Sequence, residues 1–342
     1  MVLKKCLTDK KILFLSVQTF NLEVKIKNKL QELGAEVIYY DERPANSNLI
    51  KGIIRLKRSL VHKRINAYYK KILLSVEKTK LDYLFVNRGE VVPSFFLEEL
   101  KKMKPSCMFI FYTWDSFTNH AHPISILKYF DRKYTFDPED AHLHKINFRP
   151  LFYLDAFENL THLEIKYNIL FLGTAHSDRY KISSLIKKWA LKNNQTCFCY
   201  YYMHGRLVYL YKKIFDKTFK EFKYNHLSFK SLNIEQILKL YQQSSVILDI
   251  NHPCQKGLTM RTFEAMGAKR KLITTNKEVS KYPFYNENNI LIIDRNDIKL
   301  SLDFFKGNYQ ELEPKLYNKF SLEGWLYNIF VDAEESFWSK CI

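Results

Sequence analysis

Arg261 and Glu264 stand three residues apart, behind the stretch Asp249-Ile250-Asn251-His252-Pro253-Cys254-Gln255-Lys256-Gly257-Leu258-Thr259-Met260. That spacing puts both side chains on one face of a helix. Gly257 and Thr259 stand where the helix would begin, so unpaired backbone N–H groups and the positive dipole end would face an incoming anion. An arginine there can neutralise a diphosphate, and a carboxylate one turn on can accept both hydroxyls of a ribose. Without a ligand, the same residues read as an N-capped helix with an i,i+3 ion pair. A second cluster begins at Tyr112-Thr113-Trp114-Asp115-Ser116, behind the apolar run 107–111. Asp115 would sit at the carboxyl end of a parallel strand, where open α/β sheets place their ligands. It could take the proton from an attacking hydroxyl as a general base. Its ordinary alternative is a cap for the next helix. Arg88 and Glu90 of Asn87-Arg88-Gly89-Glu90 hold the equivalent place behind residues 83–86, and Gln18 follows the first strand.

The elements needed to position these residues are legible as alternating strands and helices. Short β-branched and aromatic runs at 12–16, 36–40, 83–87 and 107–112 are separated by longer amphipathic stretches. A second series has strands at 169–172, 197–201, 246–250, 271–274 and 290–293. Such alternation predicts parallel sheets with helical crossovers, and two Rossmann-like halves are the simplest account. The helix 22–33 should end on Gly34 as its C′ residue. Residues 148–164 make the best linker, which divides the chain into domains 1–160 and 161–315. Residues 316–342 would form a terminal helix crossing back to the first domain. Neither first βα turn carries GxGxxG, which argues against a dinucleotide dehydrogenase.

Composition narrows the function classes. With 9 Gly and 9 Pro in 342 residues, disordered, collagen-like and low-complexity classes are out. No apolar run approaches the roughly 18 residues needed to span a bilayer. Lys4 and Lys5 precede an apolar run too short for a signal peptide, so residues 12–15 read as a strand. Six cysteines scattered without a CxxC pair suit a reducing cytoplasm. His120-Ala121-His122 and His142-Leu143-His144 lack a third ligand at a recognisable spacing, and read as solvated or core histidines. The net charge is +18, and it is concentrated. Residues 51–80 hold seven Lys and three Arg against Glu77, a net of +9, while residues 201–230 hold six Lys and Arg206 against Asp216 and Glu221, a net of +5. Basic amphipathic segments suit an anionic membrane surface or nucleic acid, and a solvated helix face is the ordinary alternative.

The segment Arg261-Thr262-Phe263-Glu264-Ala265-Met266-Gly267 resembles the R-x-[FY]-E-A-x-[AG] helix of bacterial GT-B glycosyltransferases, and Lys271-Leu272-Ile273-Thr274-Thr275-Asn276 looks like the strand that closes the same site. Phe171-Leu172-Gly173-Thr174 with Arg179 is similar to the turn that opens that family's C-terminal domain. Asn288 to Ile293 looks like its late strand, and Phe320-Ser321 with Trp325 like the start of its crossing helix. The likeness spans most of residues 168–330, while the N-terminal half matches in architecture only. It implies an α/β, GT-B-like fold of two Rossmann-like domains whose parallel sheets face a central cleft. It also implies a donor nucleotide sugar at Gly173, His176, Arg179, Lys256, Thr259, Arg261 and Glu264. A glycan or lipid-linked glycan acceptor would meet Gln18 and Arg88, with Asp115 or Glu90 as catalytic carboxylate. Such enzymes build lipopolysaccharide or capsule, in the cytoplasm or against the inner face of its membrane, here through residues 51–80. Many retaining members carry a second glutamate eight positions before the first; here that position is Lys256, which leans towards inversion and offers a cation for the diphosphate. With no Asp-x-Asp after a strand, no metal or other cofactor is expected. A nucleic-acid-binding module is the competing class, supported by charge but by no helix-turn-helix, zinc-finger or RNP signature. A sugar-nucleotide epimerase on the same fold is the third reading.

Overall fold

The computed structural model describes residues 2–44, 62–161, 163–216 and 219–342. The chain divides into two units, Met1–Pro150 with Leu322–Ile342, and Leu151–Ser321. In the first, β1 (Lys11–Ser16), β2 (Glu36–Asp41), β3 (Tyr83–Asn87), β4 (Met108–Thr113), β5 (Arg132–Thr135) and β6 (Asn147–Phe148) form a parallel sheet in the order β2-β1-β3-β4-β5-β6. The central strands are buried on both faces, and therefore read as continuous apolar runs instead of alternating with polar residues. Side chains still alternate between faces. Leu13, Leu15, Leu84, Val86, Phe109 and Phe111 pack under α3 (His62–Val76) and α4 (Ser94–Met103). Phe85 and Tyr112 meet Trp325 of the helix Leu322–Phe330, with ring centroids 5.9 and 4.8 Å apart. Helices α1 (Val2–Leu7) and α2 (Leu22–Glu32) precede and follow β1. Gly34 ends α2 at φ +94°, with Gly34 N–H donating to Gln31 O and Ala35 N–H to Leu30 O, a Schellman turn that a side chain would strain.

The basic segment 51–80 enters this unit in part. Residues 51–61 lie outside the described residues. In α3 the apolar stripe Ile65, Tyr69, Ile72 and Val76 is buried in the core, while Lys63, Arg64, Lys70 and Lys71 are exposed. Within the described part, then, the segment is a core helix with a solvated basic face. After α4 come a 3-10 helix, His122–Tyr129, and α5 (Pro138–His144).

The second unit repeats the plan with β7 (Tyr167–Thr174), β8 (Cys197–Tyr202), β9 (Leu227–Ser228), β10 (Ser244–Asp249), β11 (Lys271–Thr274) and β12 (Ile290–Ile292), all parallel, in the order β12-β11-β10-β7-β8-β9. Its helices include α6 (Arg179–Lys192), α7 (Arg206–Phe215), α8 (Ile234–Gln242) and α9 (Met260–Gly267). Sequence reading placed the first division near residue 160; the units meet at Pro150 and Leu151. The segment after Pro150 packs on the second unit: Tyr153 N–H donates to Phe320 O, its ring lies 4.9 Å from Tyr317, and Phe157 sits edge-on to Tyr241. The second division falls at Ser321 and Leu322, where the sequence reading had 315 and 316. Among the described residues no helix is long and apolar enough to cross a membrane.

In each sheet the chain reverses its direction of growth beside the first strand. The reversal lies between β1 and β3 in one unit and between β7 and β10 in the other. The loops leaving the carboxyl ends of those strands diverge there, which leaves a crevice where doubly wound sheets bind ligands.

Candidate functional site

At the switch point of the second unit, α9 starts where the loop from β10 turns back over the sheet. Thr259 is its N-cap. Thr259 Oγ1 accepts from Arg261 N–H at 3.1 Å and donates to Asp249 Oδ2 at 2.8 Å. Thr262 Oγ1 donates to the same carboxylate oxygen at 3.1 Å. Burial raises the pKa of Asp249, and the Thr259 hydroxyl partly offsets it. One turn into the helix, Arg261 Nη1 lies 2.5 Å from Glu264 Oε2. The Tyr241 hydroxyl joins them, accepting from Arg261 at 3.0 Å and donating to Glu264 at 3.1 Å. Burial raises the pKa of Glu264 against the opposing pull of Arg261. Both side chains keep an opening to solvent, at 21% and 14% exposure, so the pair is reachable.

The other side of the switch point is the turn after β7. Arg179 Nε donates to Ile250 O at 2.8 Å and Nη1 to Thr174 O at 3.1 Å, tying the ends of β7 and β10 together. Burial lowers its pKa to about 10, so it stays charged at neutral pH. Gly173 lies under it: a Cβ there would come 2.7 Å from Phe171 Cζ and 3.1 Å from Arg179 Nη1. His176 lies beside His252 with ring centroids 5.8 Å apart, and burial, then Arg179, push its pKa down to about 3, which keeps the imidazole neutral. Lys256 is exposed; its backbone O accepts from Asn276 Nδ2 at 3.0 Å. Arg295 braces the loop from below, donating from Nη1 to both oxygens of Asp178 at 2.8 Å and from Nη2 to Asn251 O at 2.6 Å. The result is a helix start and several arginines gathered at the ends of two adjacent strands, a place suited to a phosphate-bearing ligand.

At the switch point of the first unit the chemistry is different. The loop from β2 brings in Glu42, which is fully buried and accepts from Gly89 N–H at 2.8 Å and Glu90 N–H at 2.7 Å. Those amides converge because Arg88 and Gly89 take φ of +100° and +69°, a nest that the Glu42 carboxyl group fills. Burial raises the pKa of Glu42 to about 8 despite the two donors. Arg43 pairs with Glu90 in a short contact, and Arg88 Nε lies 3.6 Å from the same carboxylate oxygen. Arg88 Nη2 reaches Asp115 Oδ2 at 2.9 Å and His120 Nε2 at 2.6 Å, with His120 and Asp115 3.8 Å apart. A non-glycine residue at positive φ costs about 1–3 kcal/mol, so the strain at Arg88 is held by what surrounds it. Among the described residues Arg43 Nε, Arg88 Nε and Glu90 Oε1 are buried with no hydrogen-bond partner. Asp115 is the member that opens to solvent, 30% exposed against 8% for Arg88 and 4% for Glu90. The helix-cap alternative for Asp115 does not describe its carboxylate, which faces Arg88; it is Asp140 that accepts from Phe117 N–H. Gln18 is exposed at the end of β1.

No protein-family model matches the sequence, and no curated protein matches it. Solved structures do match in fold. A glycosyltransferase from Rickettsia africae ESF-5 superposes with a TM-score of 0.52 at 14% identity, over 95% of each chain. The N-terminal domain of trehalose-6-phosphate phosphatase from Candida albicans gives 0.53 at 10% identity, over 97% of this chain and 95% of that one. UDP-GlcNAc 2-epimerase from Neisseria meningitidis, bound to UDP-GlcNAc, gives 0.52 at 9% identity, over 94% of this chain and 98% of that one. The chain has a GT-B-like fold.

Within this GT-B-like chain, Gly173, His176, Arg179, Thr259, Arg261 and Glu264 gather at one switch point, and Arg88, Glu90 and Asp115 at the other. Sequence reading missed Tyr241 and Arg295 in the former and Glu42 and Arg43 in the latter, and took His120, which stands against Arg88 and Asp115, for a solvated or core histidine. Glu42-Arg43 directly follows the strand 36–41, so the rule that ligands collect behind strand ends would have found it. His122 contacts Val92 O at 2.8 Å, and His144 stands edge-on to Phe117. Among the described residues no group of three or more His, Cys, Asp or Glu is placed to hold a metal ion.

Proposed function

We propose that the chain is a glycosyltransferase that moves a sugar from a nucleotide-activated donor to a hydroxyl of a glycan acceptor. The observation that carries this reading is the Arg261–Glu264 pair behind the Thr259 cap, at the switch point of a GT-B-like unit. Glu264 would release Arg261 to accept the ribose hydroxyls, and Arg261 with the helix start would take charge from the diphosphate as the glycosidic bond breaks. A neutral His176 adds a donor there without a second full charge. Asp115 would draw the proton from the acceptor hydroxyl, with Arg88 holding its orientation and Glu90, locked between two arginines, positioning Arg88. Gln18, exposed at the same edge, suits an acceptor contact. With Lys256 where a second glutamate would stand, the transfer inverts configuration. The donor charge is met by side chains and the helix dipole, without a metal. The setting we infer is bacterial surface polysaccharide synthesis, lipopolysaccharide or capsule, on a lipid-linked acceptor at the inner face of the cytoplasmic membrane.

A thermal-shift screen against nucleoside diphosphates and nucleotide sugars, with Glu264→Ala alongside, tests the donor site. UDP-GlcNAc comes first, because the Neisseria epimerase of the same fold binds it. A ligand at 100 times its Kd adds about 2.7 kcal/mol of stability, which the wild type should show and the variant lose. Stabilisation by no nucleotide would leave the pair a structural helix start. The same fold serves an epimerase, so product analysis with and without a glycan acceptor separates the two: sugar released or epimerised without acceptor would sink the transferase reading.

A further inference from the structure

The helix α7 reads RLVYLYKKIF, and Tyr209 is its only buried residue. Leu207, Leu210, Tyr211, Ile214 and Phe215 are 82, 54, 65, 70 and 69% exposed. These are positions i, i+3, i+4, i+7 and i+8, the pattern by which a helix ordinarily faces a core. At about 100° per residue they fall within an arc of roughly 140°, on the side away from Tyr209. The stripe that α3 buries is thus turned outward in α7. A contiguous apolar face of this kind marks an interaction surface.

The rim of the stripe is basic. Arg206, Lys212 and Lys213 flank it on the helix, and Lys220 and Lys223 follow in the next segment, against Asp216 and Glu221. The helix is tied to the unit from its other side: Lys213 Nζ donates to Phe222 O at 3.0 Å and to Lys220 O, and Lys212 Nζ lies 5.5 Å from the Phe219 ring centroid. Those two lysines are thus engaged with the unit, and Arg206, Lys220 and Lys223 are the exposed cations beside the stripe. A second copy meeting the first through this face would set one basic rim against the other. Charge complementarity selects an anionic partner that is itself apolar beneath its charge.

We propose that the α7 face docks on an anionic lipid bilayer, with Leu207, Leu210, Tyr211, Ile214 and Phe215 entering the boundary between headgroups and acyl chains and Arg206, Lys220 and Lys223 meeting lipid phosphates. The helix starts four residues beyond β8, at the carboxyl edge of the sheet whose switch point carries Arg261 and Glu264. The docking does not depend on the transferase reading, and vesicle binding stands or falls without any nucleotide.

The experiment is co-sedimentation of the full chain with vesicles of phosphatidylcholine alone and of phosphatidylcholine with phosphatidylglycerol. Wild type should bind the anionic vesicles, more weakly at high salt, and bind neutral vesicles at least tenfold less. Leu207→Glu with Ile214→Glu should weaken anionic-vesicle binding at least tenfold while leaving the melting temperature unchanged, since both side chains are exposed. Lys70→Glu with Lys71→Glu on α3 should change it less than twofold. Absence of wild-type binding, undiminished binding by the α7 variant, or equal losses in both variants would overturn the proposal, the last by making binding a matter of charge alone. A dimer in sedimentation that the α7 variant dissociates, without vesicle binding, would assign the face to a second copy instead.

Discussion

The two switch points occupy the same place in two sheets of the same plan, yet one gathers cations around a helix start and the other closes carboxylates in on themselves. In the second unit Asp249 is buried behind the Thr259 cap, and the pair Arg261–Glu264 stands in front of it, open to solvent. In the first unit the backbone nest is already filled by Glu42, Glu90 is enclosed by Arg43 and Arg88, and Asp115 alone of the carboxylates opens outward. The topology chooses where chemistry can occur, and the residues in the loops choose which chemistry it is. One end is built for an anion to arrive; the other has filled its nest with its own carboxyl group and offers a single carboxylate.

If that contrast reflects function, substitutions at the two ends should fail in different ways. The largest effect is expected from Asp115→Asn, which keeps shape and removes the proton acceptor. Turnover in a transfer assay should fall about 10²–10⁴-fold, with stabilisation by the donor nucleotide unchanged. Full turnover in this variant would take the base role from Asp115 and hand the search to His120. Glu264→Ala should do the converse. Loss of hydrogen bonds to a charged group is worth about 1.5–3 kcal/mol, so nucleotide affinity by titration calorimetry should drop about ten- to a hundredfold. Equal affinity in wild type and variant would reduce the pair to an intrahelical salt bridge.

Much of this arrangement could be read from the chain and some could not, for reasons that differ by residue. The strands at 83–87 and 108–113 announce themselves because burial on both faces demands apolar runs. β5, reading Arg-Lys-Tyr-Thr, and the two-residue β6 and β9 carry no such run, and only their neighbours make them strands. Arg261 and Glu264 were legible because their relation is local, one turn of one helix. Glu42 and Arg43 were not, because their partners Gly89 and Glu90 lie 47 or 48 residues away and nothing local marks a carboxylate destined for burial. The two basic amphipathic segments looked alike in sequence, since periodicity shows that a helix has an apolar face but not which way the fold turns it.

A smaller effect should come from Gly89→Ala. Gly89 holds φ +69°, and an added Cβ would meet Phe111 Cε2 at 2.8 Å, a buried ring with little room to retreat. The left-handed backbone alone costs an alanine about 1–2 kcal/mol. The variant should melt several degrees lower and, because the nest amides move, should lose turnover beyond what its stability explains. Donor stabilisation in the second unit should be untouched. If melting drops while turnover per folded molecule holds, the Arg88 turn is scaffolding and the contrast between the two ends weakens.

The smallest step, taken per pH unit, is a matter of protons at Glu42. Its pKa is raised from 4.5 to about 8 by burial, so between those values the folded chain holds a proton that the unfolded chain has released. Stability from this group therefore falls as pH rises through that window, by up to about 1.4 kcal/mol per pH unit. Glu42→Gln removes the titration and turns an amide NH₂ towards one of the two backbone donors, a loss of about 1 kcal/mol that does not change with pH. Urea midpoints should consequently put the variant below wild type near about pH 5 and bring it level or above near about pH 8. A gap that stays constant across that range would mean Glu42 remains ionised, held by Gly89 and Glu90 N–H. The first unit would then carry a permanent buried anion, and the strain at Arg88 would be the means of holding it.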